Sequence, residues 1–282
     1  MTAIDAPAKI NLFLRICGKT AQGYHLLDSV TVFTDFGDRL TVTPAARDRL
    51  VFNGPFADFL DQPAVRGPDN LVMRALAAFR AGGGVLGPVE ITLDKHIPVG
   101  AGLGGGSADA AALLRLANDL ATVRLDPAHL VQIGAALGAD VPVCLASRSQ
   151  RVGGIGETLC DFPVAPAYML LANPLKPLPT AKVFSAFRGP GLGSAGALGD
   201  DDAAALAGYG NDLLAAASKI IPEIEPLLQA VRSAPGCRAA GMSGSGASCF
   251  GIFSDAEDTE NAARRVHKMG FWAMPTKIKA EN

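Results

Sequence analysis

Residues 98–114 read PVGAGLGGGSADAAALL, with five glycines in seven positions just before a run that is typical of a helix. Apolar residues recur in this run at helical spacing, at Leu113, Leu116, Ala117 and Leu120. Glycine allows positive φ and leaves backbone N–H groups uncovered, and the following helix adds unpaired N–H groups and the positive end of its dipole. We therefore predict that this glycine loop, residues 98–107, binds an anion such as phosphate and is not merely a flexible turn.

The residues around the glycines narrow the type of phosphate loop. No lysine follows them, which excludes the P-loop of Walker-type nucleotide hydrolases. Gly100, Gly102 and Gly105 satisfy G-x-G-x-x-G, so a dinucleotide-binding fold is an alternative. We favour this dinucleotide-binding fold less than a different phosphate loop. Residues 89–94 alternate like a strand with one solvated face, not like a buried parallel strand, and Asp126 before Pro127 indicates a helix cap, not a ribose ligand.

The composition is that of an ordinary globular protein with one large or two medium domains. The chain has 282 residues, of which 49% are hydrophobic and 18% charged, and its formal net charge is −2. This charge offers no general attraction to nucleic acid or to an anionic membrane. Five scattered cysteines without a C-x-x-C pair argue against a zinc site or a disulfide framework, and with no signal-peptide pattern or apolar span they favour a reducing, cytoplasmic location.

The order of elements predicts a mixture of strands and helices. Residues 8–16 alternate as a strand with one core face and one solvated face that carries Lys9, Asn11, Phe13 and Arg15. Helices are predicted over residues 71–80, 127–137 and 180–187, and residues 187–210 are predicted to form a long mobile loop. The second half continues with a helix interrupted near Pro222, a strand at residues 247–253, a helix and a last strand, which is compatible with an α+β sandwich.

Three motifs resemble those of the GHMP small-molecule kinase superfamily, in the same order along nearly the whole chain. They are APAKINLFLRI at residues 6–16, PVGAGLGGGSADAA at residues 98–111 and GMSGSGASCFGIF at residues 241–253. The resemblance implies an α/β (α+β) two-domain GHMP kinase fold. Residues 1–150 would form a ribosomal-protein-S5-domain-2-like domain with the ATP phosphate loop, and residues 151–282 a ferredoxin-like α+β sandwich, with the active site in the cleft between them.

Shorter motifs resemble the branch of the superfamily that phosphorylates a cytidine diphosphate sugar alcohol in non-mevalonate isoprenoid biosynthesis. They are GYH at residues 23–25, GADVP at residues 138–142 and GNDL at residues 210–213. The implied reaction moves the γ-phosphoryl group of ATP to the 2-hydroxyl of the alcohol, with Asp140 and Lys9 as catalytic residues. From the pattern alone, Asp140 is more typical of a helix cap and Lys9 of an exposed strand lysine, and it is the resemblance that favours the catalytic roles. Kinases of mevalonate, homoserine or a sugar, a dinucleotide-dependent oxidoreductase and a non-catalytic nucleotide-binding protein stay as alternatives.

The resemblance also implies the binding residues. The ATP site would consist of Asn70, Leu71, Lys95 and Asp109 near the adenine or ribose, with Pro98, Val99, Gly100, Ala101, Gly102, Leu103, Gly104, Gly105, Gly106 and Ser107 around the phosphates. The substrate site would consist of Asn11, Tyr24, His25, Thr180, Phe184, Gly241, Ser243 and Gly244. Mg²⁺ is expected with ATP, without an assigned protein ligand because Ala108 replaces a frequent serine. The expected partner is a small molecule, bound by a monomer or weak homodimer.

Overall fold

The structure is a computed structural model that describes residues 1–60, 69–199 and 201–280. The chain divides into two compact units. The first contains Met1–Ala8, Gly37–Val99 and Gly104–Ser147, and the second contains Lys9–Phe36, Gly100–Leu103 and Arg148–Asn282. The division into domains at residue 150 stays a prediction.

The elements have the following bounds. The strands are β1 Thr2–Lys19, β2 His25–Pro44, β3 Arg49–Asn53, β4 Val89–Asp94, β5 Gln150–Gly154, β6 Thr158–Asp161, β7 Tyr168–Asn173, β8 Cys237–Met242, β9 Cys249–Phe253 and β10 Trp272–Lys277. The helices are α1 Ala57–Leu60, α2 Leu71–Ala81, α3 Gly105–Leu120, α4 Pro127–Leu137, α5 Val141–Ala146, α6 Thr180–Ala186, α7 Ala203–Ala207, α8 Leu214–Ile220, α9 Ile224–Arg232 and α10 Ala256–Lys268.

The first unit combines strand pairing with a layer of helices. Residues 39–44 of β2 pair with β4 in antiparallel register, and β3 pairs with β4 in parallel register. Alternate residues of β4 are buried, as its sequence predicts. Helix α3 packs against α2 and α5, and its buried residues include the run 108–114. Helix α3, which begins in the glycine loop, is thus held in place by the packing of its almost wholly apolar buried residues.

The helix starts in this unit follow the sequence signals. The side chain of Asn70 accepts a hydrogen bond from Val72 N at the start of α2. Asp126 does the same for His129 N at the start of α4, with Pro127 as the first helical residue. These two helices and their caps are therefore confirmed.

The second unit contains a four-stranded antiparallel sheet in the order β10-β7-β9-β8. Helices α9 and α10 pack on it, and β9 is buried along its whole length. The succession of β7, helix, β8, β9, helix and β10 with this strand order is the ferredoxin-like arrangement. The same unit holds the pairing of residues 27–31 of β2 with β5, and of β5 with β6.

One expectation about the second unit is wrong. Lys9, Asn11 and Phe13 do not lie on a solvated face, since their exposed fractions are 6%, 6% and 0%. Residues distant in sequence cover this face: Asn11 N donates to Ser243 Oγ over 3.1 Å, and the rings of Phe13 and Tyr209 lie 5.3 Å apart. Alternation along one strand shows its two faces but does not show what packs on them.

Over most of its described residues the segment 187–210 has no helix or strand, as predicted, but its end is regular, and its mobility stays a prediction. It contains α7, which Asp202 caps through a hydrogen bond from Ala204 N. The buried carboxylate of Asp28 accepts hydrogen bonds from Ser194 Oγ and Ala195 N, both over 2.8 Å. The irregular part of the segment is therefore held by a side chain from outside it, in the absence of a local periodic pattern.

We expect Phe79→Ala in α2 to lower the free energy of unfolding by about 3–5 kcal/mol, because it removes a fully buried ring from the first unit. The ring lies directly on the backbone, since a Cβ at Gly84 would be 2.3 Å from Phe79 Cζ. Urea unfolding measures the effect. Phe59→Ala is the matched control, because Phe59 is 60% exposed and its loss should cost within about 0.5 kcal/mol. Equal losses in the two variants would contradict this packing.

Candidate functional site

The first half of the glycine loop is held by hydrogen bonds to its carbonyl oxygens. Within the second unit, the oxygen of Ala101 accepts from Ser248 N over 3.1 Å, and that of Leu103 from Lys9 N over 2.9 Å. The oxygen of Gly102 accepts from Ser243 Oγ over 3.3 Å. The side chains of Ala101 and Leu103 are buried. Residues 101–103 therefore form a hydrogen-bonded turn, which favours a built site over the flexible-turn interpretation.

Gly102 is required by a close approach of two backbones. Its φ is +76°, and a Cβ at this position would lie 2.3 Å from the carbonyl oxygen of Gly246. No side chain fits at that distance, so only glycine lets the glycine loop reach the Gly/Ser loop, residues 241–246. The two glycine-rich motifs thus meet within the second unit.

The second half of the glycine loop, in the first unit, opens helix α3. Gly104 is the N-cap with φ +67°, and its lack of a side chain leaves the first helical N–H groups without a side-chain cap. The first turn of α3 contains no acidic residue. Gly106 is exposed with open space beside it, and Ser107 lies in the same turn. This end of α3 offers N–H donors, a hydroxyl and a positive dipole to an anion.

A buried ion cluster lies beneath this helix end, formed by Asp38, Lys95 and Asp109. All three are at most 3% exposed. Lys95 Nζ donates to Asp38 Oδ2 and, over 2.8 Å, to Asp109 Oδ2. Asp38 Oδ1 also accepts from the backbone N–H groups of His96 and Ile97. Lys95 Nζ lies 2.9 Å from the position that a Cβ of Gly105 would occupy, so glycine at residue 105 leaves room for the ammonium.

The charges in this cluster do not balance when every group is ionised. Burial raises the pKa of Asp109, Lys95 lowers it and Asp38 raises it, with a net shift to about 8. Burial lowers the pKa of Lys95, but the two carboxyl groups outweigh this effect and the net shift is upward. A proton on Asp109 at neutral pH leaves one buried ammonium facing one buried carboxylate.

Lys9 and Asn11 lie side by side on β1, as the sequence predicts, but in a buried polar network. Lys9 Nζ donates to Asn11 Oδ1 over 3.1 Å. Asn11 Nδ2 donates to Ser29 Oγ over 2.7 Å and to Thr31 Oγ1 over 3.2 Å. Two hydroxyl groups on β2 therefore fix the amide so that its oxygen faces the ammonium.

The structure brings two of the predicted aromatic-site residues together. The ring centroids of His25 and Phe184 lie 5.3 Å apart, and Phe187 lies edge-on to His25 at 5.7 Å. Tyr24 is 63% exposed. Phe187 was missed from the sequence, although its spacing of three residues from Phe184 on a predicted helix could have indicated a shared face.

The His25 side chain presents a neutral polar edge beside these rings. Burial, followed by the charge of Lys19, lowers the pKa of His25. Its Nε2 is shielded from solvent and has no hydrogen-bond partner within the part of the chain that the structure describes. A buried nitrogen of this kind calls for a partner, and a ligand can supply one.

The remaining predicted residues are placed as follows. Asp140 is the exposed N-cap residue of α5, but its side chain makes no capping hydrogen bond, so capping does not explain the carboxylate. Thr180 Oγ1 lies 3.0 Å from Ser245 Oγ of the Gly/Ser loop. A Cβ at Gly244 would lie 3.3 Å from Asn11 Oδ1. Lys9 and Asp140 belong to different units.

Two other kinds of site are absent from residues 1–60, 69–199 and 201–280. No group of three or more His, Cys, Asp or Glu side chains there could hold a metal ion. Within the same residues, no helix has the length and apolar character needed to cross a membrane.

Comparison with known families gives two matches. Residues 70–148 match the model of the GHMP kinases N terminal domain, and residues 192–270 match that of the GHMP kinases C terminal domain.

Comparison with individual proteins extends the likeness to the whole chain. A 4-diphosphocytidyl-2-C-methyl-D-erythritol kinase of Cereibacter sphaeroides is 43% identical, covering 99% of this chain and 99% of its own. One of Rhizobium leguminosarum is 44% identical, over 93% of this chain and 89% of its own. The crystal structure of a 4-(cytidine 5'-diphospho)-2C-methyl-D-erythritol kinase matches with a TM-score of 0.81 at 31% identity, over 99% of this chain and 100% of that one. A homoserine kinase of Cytophaga hutchinsonii shares the fold alone, with a TM-score of 0.70 at 18% identity over 99% and 94% of the two chains.

Asp109→Asn tests the protonation of the buried ion cluster, because it keeps an oxygen that accepts from Lys95 but removes the ionisable group. The pKa of Asp109 is 3.8 in the reference state and about 8 in the fold. The stability that this group contributes is therefore complete below about pH 4 and lost as the pH rises through about 8. Relative to the variant, the wild-type free energy of unfolding should fall between about pH 5 and about pH 8, by at most about 1.4 kcal/mol per pH unit. Urea unfolding at several pH values measures this difference, and a constant difference would contradict the assignment.

Proposed function

The chain belongs to the family of 4-diphosphocytidyl-2-C-methyl-D-erythritol kinases within the GHMP kinases, and on this premise we propose the reaction and the roles of its residues. The protein transfers the γ-phosphoryl group of ATP to the 2-hydroxyl of 4-diphosphocytidyl-2-C-methyl-D-erythritol, a step of non-mevalonate isoprenoid biosynthesis. The observation that carries the proposal is 43% identity over 99% of both chains, together with a fixed glycine loop at the start of α3. The predicted two-domain GHMP kinase fold is confirmed, and the dinucleotide-binding alternative is wrong.

The ATP phosphates bind at the glycine loop. The unpaired N–H groups at the start of α3 and the hydroxyl of Ser107 face an anion without an acidic residue in the same turn. Mg²⁺ would accompany ATP and neutralise charge on its phosphates, held chiefly by phosphate oxygens and water. Asn70 and Leu71 lie at the start of α2 and contact the nucleoside. Lys95 and Asp109, expected near the adenine or ribose, are buried and paired with each other, so the role proposed for them here is to support the loop from beneath.

The transfer itself needs an oriented hydroxyl and positive charge near the phosphoryl group. The carboxylate of Asp140 orients the 2-hydroxyl and takes its proton as the oxygen attacks the γ-phosphorus. The new O–P bond forms while the bond to the β-phosphate oxygen breaks, and ADP leaves. Lys9 supplies positive charge for this step, and the bond from its Nζ to Asn11 Oδ1 orients the ammonium.

The cytidine end of the substrate binds in the second unit. The rings of Phe184 and Tyr24 stack on the base, and the neutral imidazole of His25 faces its polar edge. The half-buried position of His25 and its unpartnered Nε2 within the described chain support this role. Asn11, Thr180 and the residues Gly241, Ser243 and Gly244 contact the rest of the alcohol and its diphosphate. A monomer or weak homodimer in a reducing, cytoplasmic compartment stays a prediction.

The decisive assay measures ADP release with MgATP and one acceptor at a time, using 4-diphosphocytidyl-2-C-methyl-D-erythritol, its uridine analogue and mevalonate. We expect turnover with the cytidine compound, and a loss of about 10²–10⁴-fold in kcat for Asp140→Asn, because this variant cannot accept the proton. Asp126→Asn, at an exposed helix cap, is the matched control and should retain its kcat. Turnover with mevalonate alone would disprove the substrate assignment, and full activity of Asp140→Asn would disprove the role of Asp140.

Gly106→Ala tests the phosphate site without disturbing the fold. A Cβ at Gly106 meets no atom within 4 Å, and alanine favours a helix more than glycine does, so stability should be unchanged or slightly higher. The added methyl group would nevertheless lie at the exposed turn where a phosphate must approach the backbone. We expect ADP affinity, measured by calorimetry, to fall about tenfold or more. Gly87→Ala, which also adds a Cβ in open space, should change neither quantity, and unchanged ADP affinity in Gly106→Ala would place the phosphates elsewhere.

A further inference from the structure

Asn211 lies in a segment that is bound to β1 through its backbone. Leu14 N donates to the oxygen of Gly210 over 3.0 Å, and Asp212 N donates to the oxygen of Leu14 over 2.9 Å. The carboxylate of Asp212 accepts in turn from Ile16 N over 2.7 Å. Residues 210–212 therefore run alongside the strand that carries Lys9 and Asn11, within the same unit.

Both polar atoms of the Asn211 side-chain amide are hydrogen-bonded. Its Nδ2 donates to the carbonyl oxygens of Met242 and Gly244, both over 2.8 Å. Its Oδ1 accepts from Leu213 N over 2.9 Å, which fixes the orientation of the amide. One side chain thus holds two carbonyl groups on either side of Ser243, a hydrogen-bonding pattern that a carboxylate or an aliphatic side chain cannot reproduce.

Ser243, which lies between those two carbonyl groups, bonds two parts of the proposed site. Ser243 Oγ donates to the oxygen of Gly102 in the glycine loop and accepts from Asn11 N. Gly246, three residues further along the Gly/Ser loop, approaches Gly102 so closely that no side chain fits there. The shape of residues 242–246 therefore sets where the glycine loop and Asn11 lie.

We propose that Asn211 is a positioning residue, which holds the Gly/Ser loop in the shape that supports both the glycine loop and Asn11. The proposal rests on the proposed function, in which these two elements bind ATP and the alcohol. Asn211 acts through Ser243 and Gly244. Its loss should therefore lower turnover by more than its effect on stability accounts for.

Asn211→Asp is the first variant, because it keeps the size of the side chain and its Oδ1 acceptor but places a carboxylate oxygen against two carbonyl groups. Asn118→Asp is the matched control. Asn118 is also half-buried and also bonds a carbonyl oxygen and a backbone N–H, both of Leu125. It lies 13 residues after Gly105 on α3, about 20 Å along the helix. Both proteins are assayed for kcat, for KM of each substrate and for melting temperature.

We expect kcat to fall about tenfold or more in Asn211→Asp and to stay within about twofold in Asn118→Asp, with comparable losses of melting temperature. In a double-mutant cycle, Ser243→Ala should add little to the kcat loss of Asn211→Asp, whereas it should act independently of Asn118→Asp. A kcat loss in Asn211→Asp no larger than in the control, or additive effects of Asn211→Asp and Ser243→Ala, would overturn the proposal. If Asn211→Asp does not fold, Asn211→Ser retains one donor and should show the same pattern with a smaller loss.

Hydrogen exchange separates this proposal from the proposed reaction, because it needs no substrate. Peptides that contain residues 98–104 and 241–248 should exchange faster in Asn211→Asp than in wild type, and at the wild-type rate in Asn118→Asp. Unchanged exchange in Asn211→Asp would overturn the positioning role even if the wild-type protein phosphorylates the cytidine compound. Faster exchange together with no wild-type turnover would retain the positioning role and reject the proposed reaction.

Discussion

The close approach of Gly102 to Gly246 is the constraint on which the proposed site depends. The carbonyl oxygens of residues 101–103 accept hydrogen bonds from Ser248, Ser243 and Lys9, so the turn is shaped by parts of the chain far from it in sequence. Because the turn is fixed before a ligand arrives, less conformational freedom is lost when phosphate binds. A side chain at residue 102 would push the two loops apart and break this set of hydrogen bonds together.

Hydrogen bonds also hold the side chains of the buried ion cluster in a defined arrangement. Lys95 is fully enclosed, and burying an ammonium group is costly unless its hydrogen bonds are satisfied. Asp38 and Asp109 satisfy them, and Asp38 is itself held by two backbone N–H groups. The cluster thus joins the turn after β4 to the first turns of α3 through short, directional contacts. A proton on Asp109 removes the excess negative charge, which lowers the free-energy cost of burying the cluster.

Much of the fold could be predicted because its signals are local. The caps of α2 and α4, the alternation of β4 and the break between α8 and α9 near Pro222 depend on neighbours within a few residues. The burial of Lys9 and Asn11 could not be predicted, because Leu103 bonds Lys9 N from more than 90 positions away and Ser243 bonds Asn11 N from more than 230. The same holds for Asp38, which has no local motif and bonds Lys95, His96 and Ile97 more than 50 positions away. It holds also for Asn211, whose two carbonyl acceptors lie over 30 positions further on.

The fold by itself does not select the alcohol that is phosphorylated. The structures of a homoserine kinase and a mevalonate kinase share it at 18% and 11% identity, so the fold alone does not identify the acceptor. In this chain the proposed phosphate site is built from backbone N–H groups, which needs few particular side chains. Recognition of a flat base needs rings and a polar edge, and in this chain His25, Phe184 and Phe187 supply them together. In the proposed function, selectivity for the acceptor therefore resides in a few side chains of the second unit, whereas binding of the ATP phosphates depends on the backbone around the start of α3.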